Sequence, residues 1–177
     1  METFTIVYDT REHETEKLQQ RLKSFGCPVV RKKLPFGDYS AFCTLPSGEI
    51  FSLEDRVCVE RKEHFDELAS CYTSQRARFT REFERAKEAG AKLYLLVEKA
   101  SWEKAYSGIY KSKMTPQSLI GSMTTWFARY NCSPLFCQPD TTGKLIHDVL
   151  IKEMREALIH YDYVPAAKGS DHPGPVH

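Results

Sequence analysis

The sequence predicts an α/β fold with a central sheet flanked by helices. Short apolar runs alternate with segments whose apolar residues recur at helical spacing. The run from Leu93 to Glu98 is nearly all apolar before its last residue, as expected of a strand covered on both faces. A length of 177 residues suits one domain with a single core. We assign 1–164 to that domain and 165–177, which is rich in Pro, Gly and Ala without periodicity, to a flexible tail.

Strands dominate the predicted N-terminal half. A first strand, Phe4 to Tyr8, precedes a helix in which Leu18, Leu22 and Phe25 recur at helical spacing. Turns then separate four more strands, which predicts a meander. The turns are Pro35 to Gly37 and Pro46 to Gly48, and the strands are Pro28 to Leu34, Tyr39 to Leu45, Ile50 to Leu53 and Arg56 to Lys62.

Helices prevail in the remaining sequence. Thr115 is placed as an N-cap with Pro116 at the first helical position, and Thr141 and Thr142 open a last helix. The other predicted elements are helices over Phe65 to Tyr72 and Ser74 to Ala89, the strand Leu93 to Glu98, and a short strand over Pro134 to Gln138.

Composition and cysteine spacing narrow the class of protein. Lys and Arg number 25 against 24 Asp and Glu, so any site for a polyanion must be a local patch. The six cysteines include no C-x-x-C pair, and we expect free thiols in a reducing compartment. The sequence begins without a secretory leader, and no stretch approaches the roughly 20 apolar residues that span a bilayer, so we expect a cytoplasmic protein.

Acidic and basic residues are concentrated at the ends of predicted strands. Side chains at strand ends converge in one crevice, so carboxylates distant in sequence can share a divalent ion. Two or three carboxylates suffice for Mg²⁺, because this ion keeps several waters. Asp38 and Glu60 are the natural pair. The three segments concerned are Asp9 to Glu12, Gly37 with Asp38, and Glu60 to Asp66.

Strand alternation places Glu60 and Lys62 on the same face, about 7 Å apart along the strand. An ammonium group beside a metal-bound water orients that water or helps to deprotonate it, as in a nuclease site. Arg61 points to the other face of a regular strand, and reaches a phosphate only if the strand ends or twists there.

Each segment alone also has a simpler explanation. Gly37 with Asp38 is most often only a turn, and Asp66 suits the first turn of a helix whatever the function. Asp9 and Glu12 are equally consistent with helix entry. The joint occurrence of these residues is what favours chemistry.

Val59 to Lys62 followed by Asp66 resembles the E-R-K-x-x-x-D signature of the XPF-type structure-specific endonucleases, a branch of the PD-(D/E)xK restriction-like nucleases. Tyr8 to Glu12 is similar to the first strand of that family and its acidic end. The resemblance covers about 4–160. Two further similar elements are the G-D-Y element in Leu34 to Tyr39 and the R-F-containing helix at Arg78 to Phe83.

The resemblance implies a restriction-endonuclease-like central mixed sheet flanked by helices. It implies hydrolysis of phosphodiester bonds in flaps and forks, in DNA repair or recombination, with Mg²⁺ or Mn²⁺ as cofactor. The implied metal ligands are Asp38 and Glu60, with Asp9 at the same site either directly or through water. Lys62 is implied as the catalytic lysine. The resemblance also implies a contact to the scissile phosphate or to the acids for Arg61, and a local anchor or metal ligand for Asp66.

A basic stripe on the predicted helix from Ser74 is a candidate DNA contact. Such a stripe is usually a solvated face, with Glu82 and Glu84 near enough to pair with it, but fixed cations beside a metal site suit phosphate binding. The expected DNA-binding residues are Arg11, Arg78, Arg81 and Arg85, with Lys111, Lys113 and Arg129 as a weaker extension. Tyr39 and Tyr72 fit the core better than base stacking.

Partners follow from the resemblance. Members of this family commonly carry a helix-hairpin-helix module and some carry a helicase, so a separate DNA-binding or helicase protein is a candidate partner. The intact signature favours a homodimer through the nuclease domain, in a bacterial or phage-encoded protein. Two alternatives stay open: a non-catalytic DNA-binding or scaffold subunit, and a restriction-type enzyme that cuts a fixed duplex sequence.

Overall fold

The computed structural model describes residues 3–163, and the predicted tail at 165–177 lies outside them. Strands and helices alternate through this part of the chain, as the sequence predicts. The strands are β1 (Thr3–Tyr8), β2 (Val29–Arg31), β3 (Tyr39–Thr44), β4 (Ile50–Ser52), β5 (Val57–Lys62), β6 (Lys92–Glu98) and β7 (Cys132–Cys137). The helices are α1 (Glu16–Ser24), α2 (Phe65–Tyr72), α3 (Arg76–Glu88), α4 (Trp102–Tyr106), α5 (Pro116–Arg129) and α6 (Thr142–Tyr163).

The strands form one mixed sheet in the order β2-β1-β3-β5-β6-β7, with β4 paired to β3. Strand β3 runs antiparallel to β1, β4 and β5, whereas β1 with β2, β5 with β6, and β6 with β7 are parallel pairs. The predicted meander is wrong, because β2 and β3 are not neighbours. Helix α1 carries the chain from β1 across to β2, and such a crossover returns a strand parallel to the first, at the outer edge of β1.

Helices cover both faces of the sheet. One core lies between the sheet and α2, α3 and α5, with Trp126 at its centre and the rings of Phe79 and Tyr130 against it. The other core lies under α1 and α6. Successive side chains of β5 enter the two cores in turn, since Cys58 belongs to the first core and Val59 to the second. The residues that follow on β5 therefore face alternate sides of the sheet.

Caps and turns set the helix bounds. Thr115 accepts a hydrogen bond from Ser118 N, and Pro116 occupies the first turn, as predicted. His64, for which the sequence suggested no role, caps α2 through Nδ1, which accepts from Glu67 N. Helix α4 was not predicted, and β7 begins two residues before the predicted Pro134.

The topology brings several strand ends to one edge of the sheet. Tyr8 at the end of β1 pairs with Tyr39 at the start of β3, and Tyr39 pairs with Val59 near the end of β5. Strand β6 ends beside β5 because the two are parallel. All six cysteines are free thiols, as expected. No helix in 3–163 is long and apolar enough to cross a membrane.

Candidate active site

The turn before β3 places Asp38 against β5. Gly37 has a φ of +68°, and a Cβ built there would lie 2.5 Å from Cys58 Sγ. Only glycine adopts this left-handed backbone conformation and also leaves room for Cys58 without strain. Asp38 N then donates to Val59 O at 2.9 Å, and Arg61 N donates to Asp38 Oδ2 at 2.7 Å. The Asp38 carboxylate is therefore fixed by the backbone of the strand that carries Glu60.

Asp38, Glu60 and Lys62, here called the candidate triad, lie on the face of the sheet under α3. Glu60 Oε1 accepts a hydrogen bond from Lys62 Nζ, so the two side chains share a face as alternation predicts. Lys62 Nζ also lies 5.5 Å from the centre of the Phe79 ring. Glu60 is 3% exposed and Lys62 8%, whereas Asp38 is half-buried. Asp38 is thus the member most open to solvent.

The pKa values of all three side chains of the candidate triad are raised above their usual values. Burial, reinforced by the Glu60 carboxylate, raises the pKa of Asp38 well above its usual value. Burial also raises the pKa of Glu60, although Lys62 opposes the change. Burial alone would lower the pKa of Lys62, but the Glu60 and Asp38 carboxylates raise it, so this side chain stays an ammonium.

The donor set of the candidate triad fits a hard cation. Glu60 Oε2 is buried and has no hydrogen-bond partner, although a buried carboxylate oxygen normally has one. A divalent ion would satisfy this oxygen and would relieve the repulsion between Glu60 and Asp38. Residues 3–163 contain no group of three or more His, Cys, Asp and Glu side chains placed to hold a metal. Two carboxylates with waters match the preference of Mg²⁺.

Asp9 lies next to Asp38, since its backbone N–H donates to Asp38 O at 2.8 Å, but both oxygens of its carboxylate accept hydrogen bonds from other residues. Its Oδ1 accepts from Arg11 N and Arg11 Nε at 2.7 and 2.6 Å, and its Oδ2 accepts from Leu34 N at 2.7 Å. Burial would raise the pKa of Asp9, but these donors outweigh it and lower the pKa. The structure therefore does not bring Asp9 to Asp38 and Glu60 as a third free carboxylate.

Arg61 faces the opposite side of the sheet, as alternation predicts. Its Nε and Nη2 donate to Oε1 and Oε2 of Glu98, each at 2.8 Å. Thr142 Oγ1 donates to Glu98 Oε1 at 2.7 Å, and Arg21 Nη2 lies 3.8 Å from the same oxygen. Sequence reasoning missed Glu98, although an acidic residue that ends an apolar strand was a visible signal. Arg61 thus binds two acids. Its guanidinium binds Glu98 on the opposite face of the sheet, and its backbone N–H binds Asp38 in the candidate triad.

Glu82 is a second residue that sequence reasoning missed. It was expected to pair with arginines on a solvated helix face, but it is buried and accepts from Gly37 N at 3.0 Å. Arg11 Nη2 donates to the same carboxylate at 3.3 Å and to Gly37 O at 3.2 Å. Arg11, expected to contact DNA, is engaged within the protein, with its side chain 39% exposed.

Asp66, the last residue of the signature, contacts a loop. Its Oδ1 accepts from the backbone N–H groups of Lys111 and Ser112 at 2.6 and 2.5 Å. Of the two roles open for Asp66, anchor or metal ligand, this geometry corresponds to the anchor.

The predicted basic stripe is present on α3. Arg78, Arg81 and Arg85 are exposed, and Arg85 Nε donates to Pro35 O at 3.2 Å. Tyr39 and Tyr72 are buried in the core, as the sequence favoured.

Comparison with known proteins tests the family. The model of the ERCC4 domain matches residues 8–149. XPF from Aeropyrum pernix is 20% identical with a TM-score of 0.61, over 97% of this chain and 67% of that one. XPF from Aeropyrum pernix in complex with DNA is 21% identical with a TM-score of 0.59, over 86% of this chain and 66% of that one.

These two structures share the fold of this chain, which spans about two thirds of their length. The sequence has no match among curated proteins. Because the family model covers most of the chain, with Glu60, Arg61 and Lys62 of the signature in β5 and Asp66 in the first turn of α2, the chain belongs to the ERCC4 domain family, with an XPF-type nuclease fold.

Proposed function

We propose that this chain is a DNA endonuclease, dependent on Mg²⁺ or Mn²⁺, that hydrolyses phosphodiester bonds in branched DNA such as flaps and forks. The observation that carries the proposal is the unpartnered, buried Oε2 of Glu60 beside Asp38 and the Lys62 ammonium. Membership of the ERCC4 domain family and the fold shared with a DNA-bound XPF support it. A role in DNA repair or recombination is proposed with it.

Asp38 and Glu60 would hold the metal ion. The bound ion would supply positive charge that polarises the scissile phosphate and lowers the pKa of water at the site. Asp38 would keep its position through Arg61 N, and Glu60 would use the oxygen that lacks a partner. Asp9, whose two oxygens already accept hydrogen bonds, would stabilise the turn rather than serve as a ligand.

Lys62 would act as a charged hydrogen-bond donor. The neighbouring carboxylates raise its pKa in the metal-free protein, and a lysine ammonium at this place suits orientation of the attacking water or stabilisation of charge on the phosphate. Arg61, directed to the opposite face, would act indirectly by holding Asp38 through its backbone N–H and Glu98 through its guanidinium.

Access to the site requires a local movement. Glu60 and Lys62 are buried, and the Phe79 ring of α3 lies over Lys62 Nζ. A phosphate would enter beside Asp38, and α3 would shift to admit it. The exposed arginines of α3, Arg78, Arg81 and Arg85, would then lie along the path of the DNA backbone, where binding of phosphates would favour the shifted position.

The proposed partners are DNA, a second copy of the chain bound through the nuclease domain, and a separate DNA-binding or helicase protein. We propose action in the cytoplasm of a bacterial or phage-infected cell. The partners follow from the family resemblance, and the cytoplasmic assignment follows from the sequence.

Incubation with labelled flap, fork, Holliday, single-stranded and linear duplex DNA, with and without Mn²⁺, tests the proposal. We expect metal-dependent cleavage of the flap and the fork, and loss of cleavage in Asp38→Asn, Glu60→Gln and Lys62→Met. Asp55→Asn, at an exposed carboxylate, is the matched control. Cleavage by the Glu60→Gln protein at the parent rate would overturn the proposal.

The burial of Glu60 and Lys62 favours one alternative, a scaffold subunit that binds DNA without cutting it. Titration with Mn²⁺ by calorimetry separates the two. An endonuclease binds the ion at a site that Glu60→Gln removes, whereas a scaffold shows no such site.

A further inference from the structure

The segment 106–115, which comprises the last residue of α4 and the loop that joins this helix to α5, carries two exposed apolar side chains. Tyr106, which ends α4, is 67% exposed, and Ile109 is 62% exposed. Single exposed apolar residues are common on proteins and need no explanation. Two such residues lie three positions apart here, and the second, Ile109, lines a cleft together with Asp66 and Lys99.

This loop is held in place. The Asp66 carboxylate accepts from two successive backbone N–H groups in it, those of Lys111 and Ser112. Tyr110 OH donates to Met114 O at 2.9 Å, and the Tyr110 ring meets the Phe65 ring edge-on at 6.0 Å. Exposure of Tyr106 and Ile109 is thus built into an ordered loop, and a ligand would meet them with little loss of conformational entropy.

Two lysines follow the apolar residues in the same loop. Lys111 and Lys113 are exposed, and within 3–163 neither side chain makes an ion pair. Lys111 lines the same cleft of about 480 Å³, together with residues that include Asp66, Lys99 and Ile109. Because Lys99 directly follows β6 and Asp66 lies in the first turn after β5, the cleft adjoins the edge where those two strands end.

We propose that the loop with Tyr106 binds an unpaired strand of DNA beside the site of cutting, an inference that rests on the proposed function. One base would stack on Tyr106, the next would pack on Ile109, and Lys111 and Lys113 would contact phosphates. Base faces are accessible only in unpaired DNA, so an exposed aromatic ring among lysines selects a single strand over a duplex. A second copy of the chain fits less well, because a symmetric contact would set the same lysines against each other.

Asp66 gains a defined part in this arrangement. The residue is four positions from Lys62 in the chain, and its carboxylate sets the position of Lys111. The same short segment would therefore supply the catalytic side chains and align the strand-binding loop with them.

Binding of labelled DNA to the full chain tests the inference. Fluorescence anisotropy in Ca²⁺, which allows binding while limiting cleavage, compares a single strand, a fork and a blunt duplex. We expect Tyr106→Ala to raise the Kd for the single strand about ten-fold, and Tyr106→Phe, which keeps the ring, to change it less than about two-fold. Lys111→Gln should lower the salt dependence of single-strand binding by about 0.7 in log–log slope.

Ile109→Ser and Ile50→Ser form a matched pair. Ile50 is 69% exposed and pairs with Thr44, at the end of β3 remote from Tyr39. Ile109→Ser should weaken single-strand binding several-fold, and Ile50→Ser should leave it unchanged. Circular dichroism would verify that all five variants fold.

Several results would overturn the inference. The strand-binding role is excluded if Tyr106→Ala binds the single strand like the parent, or if it weakens binding of the blunt duplex equally. It is also excluded if light scattering shows that Tyr106→Ala changes the oligomeric state. Cleavage of the fork by the parent chain would still leave the proposed function standing. Failure of the parent to bind any DNA would overturn both.

Discussion

Arg61 and Glu98 form a bidentate ion pair across β5 and β6, with both N–O distances at 2.8 Å. The pair lies on the face of the sheet opposite Glu60 and Lys62. Arg61 therefore connects the two faces, because its backbone N–H binds Asp38 on one side while its guanidinium is fixed on the other.

The first prediction concerns this pair. Glu98→Ala leaves the Arg61 guanidinium, 13% exposed, without its main partner, and removal of one member of a buried pair costs about 3 kcal/mol or more. Urea unfolding should show this loss, and Glu156→Ala, at an exposed position of α6, should stay within about 0.5 kcal/mol of the parent. A Glu98→Ala protein as stable as the parent would show that the pair contributes nothing.

The second prediction concerns pH. The pKa of Asp38 is raised in the folded state, so its contribution to stability is fully present below the ordinary value of 3.8 and is lost as pH rises through the raised value. Asp38→Asn removes this dependence. The free energy of unfolding of Asp38→Asn, relative to the parent, should therefore increase from about pH 4 to about pH 8 in the absence of metal.

Saturating Mn²⁺ should reduce that difference, because the ion compensates the ionised carboxylate in the parent alone. Chemical denaturation of both proteins at a series of pH values measures the difference in their free energies of unfolding. A difference independent of pH would mean that Asp38 ionises in the folded protein as easily as in the unfolded chain.

The third prediction concerns Gly37. Gly37→Ala adds a Cβ that meets Cys58 Sγ at 2.5 Å on a left-handed backbone, and we expect a loss of about 3 kcal/mol. Gly48 is the matched control, since it has a φ of +85° with nothing within 4 Å. Gly48→Ala should cost only about 1 kcal/mol. Thermal unfolding of the two variants separates steric conflict from backbone strain, and equal losses would contradict the close approach to Cys58.

The fourth prediction separates anchor from ligand at Asp9. Asp9→Asn disturbs the hydrogen bonds to Arg11 and Leu34 and should cost about 1 to 3 kcal/mol. Its affinity for Mn²⁺ in calorimetry should stay within about two-fold of the parent, whereas Glu60→Gln should weaken it more than about ten-fold. Equal weakening by the two variants would restore Asp9 as a third metal ligand.

Local patterns were enough to predict much of the fold. The apolar run of β6 and the alternation along β5 are set by burial on two faces, and both strands lie where the sequence places them. Helix α4 escaped prediction because five residues show no helical period. The meander failed because strand order depends on the crossover through α1, which no local pattern records.

The candidate site likewise has features that the sequence predicts and features that it does not. The shared face of Glu60 and Lys62 follows from strand geometry, and so does the separate face of Arg61. The position of Glu82 does not follow from strand geometry. Its carboxylate binds the backbone N–H of Gly37, which is 45 residues away, and no side-chain pattern in the sequence indicates such a contact. Asp9 likewise looks like any acid at a strand end until its donors are seen.

The buried ammonium and carboxylate of Lys62 and Glu60 have an evolutionary consequence. A buried ion pair replaced as a unit by apolar side chains of similar volume often leaves a protein equally stable or more so. A copy of this domain with apolar side chains at both positions would thus keep its architecture. The fold does not depend on these two charges, so mutations at Glu60 and Lys62 can accumulate in pairs without loss of the domain.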